Sequence, residues 1–214
     1  PQAEDRVDGS TAAAEVPGSS RSTRGLFLCL GLTPLMLLQA AINWLPTLLA
    51  SGAGMTVQRA TFWAGIVVLV AGPLGQLAGG RLIARLGARG RVVPLIIVGA
   101  MLASLPGFAS AAMTDGAIAI AVGVGWAYFV LGIAALAVLH GWQDLVPPQR
   151  RLAGNGLYMA LVTAVGVGSG PLLTGVIADQ AIPLPMALLR TALVCIAVAL
   201  LAVMVRIGVS RVSR

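Results

Sequence analysis

Gly80-Arg81-Leu82-Ile83-Ala84-Arg85-Leu86-Gly87-Ala88-Arg89-Gly90-Arg91 puts four arginines and no acidic residue into one short stretch between two long apolar runs. Guanidinium groups are costly inside hydrocarbon and are enriched in cytoplasmic loops, so this cluster is expected to form a turn at the cytoplasmic mouth of a membrane bundle. Placing that turn inside fixes the side of every other turn by alternation.

Working outward, the run before it, Thr61 to Gly80, and the run after it, Val92 to Ala112, are each long enough to cross a bilayer. About 20 helical residues span a core of roughly 30 Å. Beyond them lie Leu26 to Ala50, Ala117 to Leu139, Leu152 to Ala178 and Met186 to Ile207, all apolar and of similar length. Together they predict an all-α integral membrane protein, a six-helix transmembrane bundle over residues 25–208. Residues 1–24 carry Glu4, Asp5, Asp8 and Glu15 among Ser, Ala, Gly and Pro, too few large apolar groups to fold alone, and are read as a disordered cytoplasmic linker. Residues 209–214 are read as a cytoplasmic tail. The chain opens at Pro1 rather than methionine and is expected to be a fragment, or one half of something longer.

The composition agrees. Apolar residues make up 58% of the chain and charged residues 10%, against about 25% charge in a soluble domain. The net charge of +7 would suit nucleic acid only if it lay on one face or arm, and here it lies in short clusters between apolar runs. Nucleic-acid binding is therefore excluded. Cys29 and Cys195 fall inside apolar runs and read as small core residues rather than a disulfide. No metal site and no cofactor are expected.

Six spans return both ends of the chain to one side. With the arginine turn inside, twelve arginines lie inside and only Arg59 and Arg190 outside, a bias that orients the chain with both termini cytoplasmic in a cell membrane. Arg190, one turn inside the last span, is expected to snorkel back to the near surface.

Within the spans, Gln39, Asn43 and Thr47 recur every four residues and share a helical face with Met36, a face expected to look into the bundle. It serves either interhelical hydrogen bonding or a water-filled, substrate-lined cavity. Gln39, Asn43, Gln76, Tyr128 and Tyr158 are the candidate substrate path, since all are uncharged and can donate hydrogen bonds to a polar or anionic solute. No Asp, Glu or Lys lies near the middle of a span, so no proton-carrying carboxylate is expected here.

Gly72, Gly75 and Gly79 form a ridge without side chains, and Gly166 and Gly170 a GxxxG pair, both suited to close helix approach. Pro34, Pro46, Pro73, Pro106 and Pro171 each remove a backbone donor and are expected to be weak points, Pro34 and Pro46 interrupting the first span, Pro73 and Pro171 breaking their helices locally and Pro106 bending its own. His140, beside Trp142, reads as an interfacial residue. Ser169 with His140 does not fit an intramembrane serine hydrolase, because Val167 stands where glycine is wanted and the histidine comes too early in the chain.

The arginine stretch is similar to the loop that joins the second and third helices of each half of a major facilitator superfamily transporter. That loop has a glycine, an aspartate, a basic residue, a glycine and a basic cluster; here Ala84 stands at the aspartate position, as in second-half copies. Asn43-Trp44-Leu45-Pro46-Thr47-Leu48-Leu49 with Arg59-Ala60 resembles the seventh helix of aromatic-acid and organic-anion symporters. Val146-Pro147-Pro148-Gln149-Arg150-Arg151, Gly166-Val167-Gly168-Ser169-Gly170-Pro171 and Gly175 to Asp179 resemble the eleventh helix of spinster-like members. The subfamily stays open between these two. The resemblance covers residues 25–208 and implies the C-terminal six-helix half of a twelve-helix fold that moves a small organic solute by alternating access.

The same resemblance implies partners: a missing N-terminal six-helix half, the lipid bilayer, and a small-molecule solute with or without a proton. It also implies a cytoplasmic gating loop of Gly80, Arg81, Arg85, Gly87, Arg89 and Arg91. Two alternatives remain, a self-associating six-helix half-transporter and a structural membrane subunit that does not transport.

Overall fold

The computed structural model describes residues 21–87 and 92–212. Among them are six α-helices and no strand: α1 Arg21–Gly52, α2 Val57–Leu86, α3 Val92–Met113, α4 Ala117–Gln143, α5 Arg151–Ala178 and α6 Leu184–Val212. A single 3-10 turn, Pro148–Arg150, leads into α5. The shortest helix, α3, has 22 residues and at 1.5 Å per residue is roughly 33 Å long. All six are therefore long and apolar enough to cross a membrane. The chain is a six-helix membrane bundle.

Several boundaries move outward from their expected places. Residues 21–24, read as linker, already belong to α1, and the tail from 209 to 212 continues α6. The connection left between the first two expected spans, residues 51–60, shrinks to residues 53–56. The arginine stretch is mostly helix: α2 runs through Arg81 and Arg85 and stops only at Gly87. Gly87 has φ 54°, the left-handed conformation that glycine adopts without penalty, and its N–H caps the carbonyls of Ala84 and Ile83. Arg89 and Arg91, like residues 1–20, lie outside the described residues.

The prolines do not break the helices. Pro34 and Pro46 lie within α1, Pro73 within α2, Pro106 within α3 and Pro171 within α5, and each helix runs through its proline. Each ring removes one donor from the ladder, and the helix continues on the bonds to either side. At Pro171 the carbonyl gains a partner from another helix, the Trp44 indole, whose Nε1 donates to it at 3.2 Å.

Between lipid-embedded helices there is no hydrophobic driving force, so packing and hydrogen bonds hold the bundle. Three seams are close enough to exclude side chains. On α2, a Cβ at Gly75 would run into the Phe129 carbonyl oxygen of α4, and Gly72 and Gly79 face Tyr128 and Ile133 of the same helix. On α5, a Cβ at Gly170 would meet the Met36 carbonyl oxygen of α1, while Gly166 lies against Leu35. The third seam joins α3 and α4, where a Cβ at Gly107 would run into the Gly123 carbonyl oxygen and one at Gly123 into the Ser110 hydroxyl and the Gly107 carbonyl oxygen. Trp126 Nε1 donates to Ala103 O across it at 2.9 Å. Between α5 and α6, the hydroxyls of Thr174 and Thr191 are 2.9 Å apart and fully buried.

The main pairings follow a pattern. α2 packs on α4 as α5 packs on α1, α3 packs on α4 as α6 packs on α1, and α3 meets α6. Exchanging the first three helices with the last three maps these pairings onto one another, whereas the packing of α1 with α2 and of α5 with α6 has no equal counterpart. Cys195 is buried as expected, whereas Cys29 is exposed, a correction to its reading as a core residue.

Candidate functional site

Gln39, Asn43 and Thr47 do share one face of α1, but it does not look into this bundle. Leu37, Ala40, Ala41, Leu45 and Leu48 take the inward side, leaving Gln39 half-buried and Asn43 and Thr47 exposed. The physical reason is competition for the core: α1 packs on α4, α5 and α6, and leucine and alanine fill those seams without an unmet hydrogen bond. Asn43 satisfies part of its amide locally, Nδ2 donating to Gln39 O at 2.8 Å.

The same face lies deep in the membrane. Counted from the end of α1 at Gly52 at 1.5 Å per residue, Asn43 lies roughly 14 Å and Gln39 roughly 20 Å along the helix. Tyr128 lies roughly 17 Å from the start of α4, at the same end of the bundle. Its half-buried ring packs over Gly72, with Cε1 2.9 Å from where a Cβ would stand. Gln76, one turn further along α2, is exposed and deeper, roughly 29 Å from the start of that helix. Gln39, Asn43 and Tyr128 therefore share a mid-membrane level, and Gln76 extends it toward the arginine end.

Tyr158 does not join them. It is buried near the arginine end, its ring stacked on Trp142 with centroids 4.4 Å apart and its hydroxyl donating to Phe27 O at 3.2 Å. It braces α5 against α1 and α4. Tyr158→Phe is expected to lower stability by about 1 kcal/mol, the net value of one hydrogen bond, and to leave solute binding unchanged. Thermal unfolding with and without solute checks both.

Gly80 is half-buried, and Arg81, Ala84, Arg85 and Gly87 are exposed on the last turns of α2. His140 ends α4, with its Nε2 4.0 Å from Asp144 Oδ2. Ser169 lies roughly 27 Å along α5 from that end, whereas His140 is about 5 Å from it, so hydroxyl and imidazole do not meet. Among the described residues no three His, Cys, Asp or Glu side chains are placed to hold a metal ion.

Sequence reasoning missed Trp44, which stands beside Asn43 and ties α1 to α5 through Pro171. Its neighbour's polarity and its own place four residues before Leu48 gave no signal of that bond, because the acceptor is 127 residues away. It also missed the Gly107–Gly123 seam, since each helix contributes one glycine rather than a ridge. Compared with protein-family models and with curated proteins, the chain matches none. What the site can do rests on its own geometry: a strip of hydrogen-bonding groups at mid-membrane depth on an uncovered helix face.

Proposed function

We propose that this chain is one six-helix half of a secondary active transporter of the major facilitator type, and that it moves a small organic solute by alternating access against a second six-helix unit. The observation that carries this reading is the uncovered polar face of α1. Amide and hydroxyl groups at that depth are stable against water or protein and costly against lipid. A water-filled path between two units meets that need.

Two further features support it. α2 and α5, which flank α1, are the least buried of the six spans, so the polar strip sits on a broad open side. The partial correspondence between the pairings of the first three helices and the last three resembles the internal repeats on which transporters of this class are built. In the proposed working state Gln39, Asn43, Gln76 and Tyr128 contact the solute, an organic anion being one candidate, and the arginine end of α2 forms the cytoplasmic gate. Proton coupling, if used, falls to the second unit or to the solute. The orientation proposed is both termini cytoplasmic.

Liposomes holding this polypeptide alone are expected to show no uptake, and uptake is expected once a second six-helix unit is supplied in the same chain or membrane. Uptake by the lone polypeptide would overturn the reading. In the transporting assembly, Asn43→Leu is expected to raise the half-saturating solute concentration about tenfold, the equivalent of one lost hydrogen bond of roughly 1.4 kcal/mol.

A further inference from the structure

On the side of the bundle away from the arginine turn, α2 and α4 line a groove of about 490 Å³. Trp63, Val67 and Val70 of α2 face Ile118, Val122 and Gly125 of α4 across it, and no charged side chain enters. Counted from their nearer helix ends, Gly125 lies roughly 12 Å and Val70 roughly 20 Å down. The groove thus occupies about the depth of one bilayer leaflet. Its volume falls within the range of ligand pockets, roughly 300–1,000 Å³, which are lined mainly by apolar side chains.

Above the groove stands Arg59, exposed on the first turn of α2. It precedes Trp63 by four residues and Val70 by eleven, so at 3.6 residues per turn it lies on the groove-lining face. A helical side chain leans toward its helix's N-terminus, which aims Arg59 away from the hydrocarbon and toward the headgroup level. Trp63, a turn below, has the amphipathic ring suited to the boundary between the two. Cation, indole and apolar channel follow in the order of phosphate, glycerol and acyl chain.

We propose that this groove binds an anionic phospholipid, with one acyl chain between α2 and α4 and the phosphate on the Arg59 guanidinium. The chain alone would bind weakly, as single acyl chains do. The cation supplies the preference for negative headgroups, about fivefold for one arginine near the surface. This inference depends on the membrane bundle and not on transport.

The test uses the full chain in phosphatidylcholine bilayers with rising fractions of phosphatidylglycerol brominated on its acyl chains, and reads tryptophan quenching. The Trp63 share is the difference between the wild type and Trp63→Phe. Trp63 is expected to reach half-maximal quenching at a fraction about fivefold lower for brominated phosphatidylglycerol than for brominated phosphatidylcholine. Arg59→Gln is expected to abolish that difference, and Ala121→Phe, which fills the groove, to abolish it with Arg59 intact. Helical circular dichroism verifies that each variant is folded, and Arg59→Gln, at an exposed position, keeps the test open if Ala121→Phe does not fold. Equal quenching by the two lipids in the wild type overturns the proposal. So does a Trp63 that neither lipid quenches, the result expected if a helix of another unit or a second copy covers the groove.

Discussion

Gly75→Ala and Gly170→Ala are each expected to destabilise the bundle by about 1–3 kcal/mol, and leucine at either position to prevent folding. The reason is the nature of what the new methyl group meets. At Gly75 it is the Phe129 carbonyl and at Gly170 the Met36 carbonyl, both helix backbone that cannot step aside as a flexible side chain would. Relief requires the helices to move apart, and each seam then loses contacts that lipid does not replace. Gly168→Ala is the control. Nothing lies within 4 Å of a Cβ there, and alanine in a helix interior is worth roughly 0.5–1 kcal/mol over glycine, so this variant should unfold with the wild type or slightly later. Unfolding in mixed micelles by a denaturing detergent, followed by circular dichroism, ranks the three. The two damaging sites lie on different seams, so their effects should add. A Gly75→Ala protein that unfolds with the wild type would refute the seam.

The second large effect concerns orientation. Replacing Arg81, Arg85, Arg89 and Arg91 together by glutamine is expected to turn a single topology into a mixture of both. These four residues are a third of the twelve arginines that the proposed orientation places on the cytoplasmic side, and charge near the span ends decides which way the helices insert. Single cysteines at Thr114 and Gln149, exposed in turns at opposite ends of the bundle, report the side by labelling with a membrane-impermeant thiol reagent. The exposed Cys29 must first be removed, whereas Cys195 is buried. Labelling that stays on one side in the quadruple variant would show that the remaining arginines suffice.

Much of this architecture was legible because the signals are local and one-dimensional. Span number, span order and the glycines of α2 and α5 follow from hydropathy and spacing, which need no knowledge of what lies opposite. The failures are of another kind. Pro171 reads as a break from its own chemistry, yet α5 continues through it. The face of Gln39, Asn43 and Thr47 reads as inward because polar groups shun lipid. The leucines and alanines of α1 take the inner side instead, so the need of the polar face for a partner is displaced to the outside of the bundle. Tyr158 and Tyr128 cannot be told apart in sequence, both being tyrosines in apolar runs. One braces α5 against Phe27 and Trp142, and the other packs over Gly72 at the depth of Gln39 and Asn43.

The partial correspondence of α1–α3 with α4–α6 bears on how the chain enters the membrane. Since three spans is an odd number, the two triplets must enter the bilayer in opposite senses. Two similar triplets hold opposite senses only if their flanking charges differ. The turn after the second helix carries Arg81 and Arg85 on its helical shoulder in the first triplet, whereas its counterpart after α5 carries Asp179 and Gln180 and no arginine. The arginine turn is thus the charge difference that tells the two triplets apart.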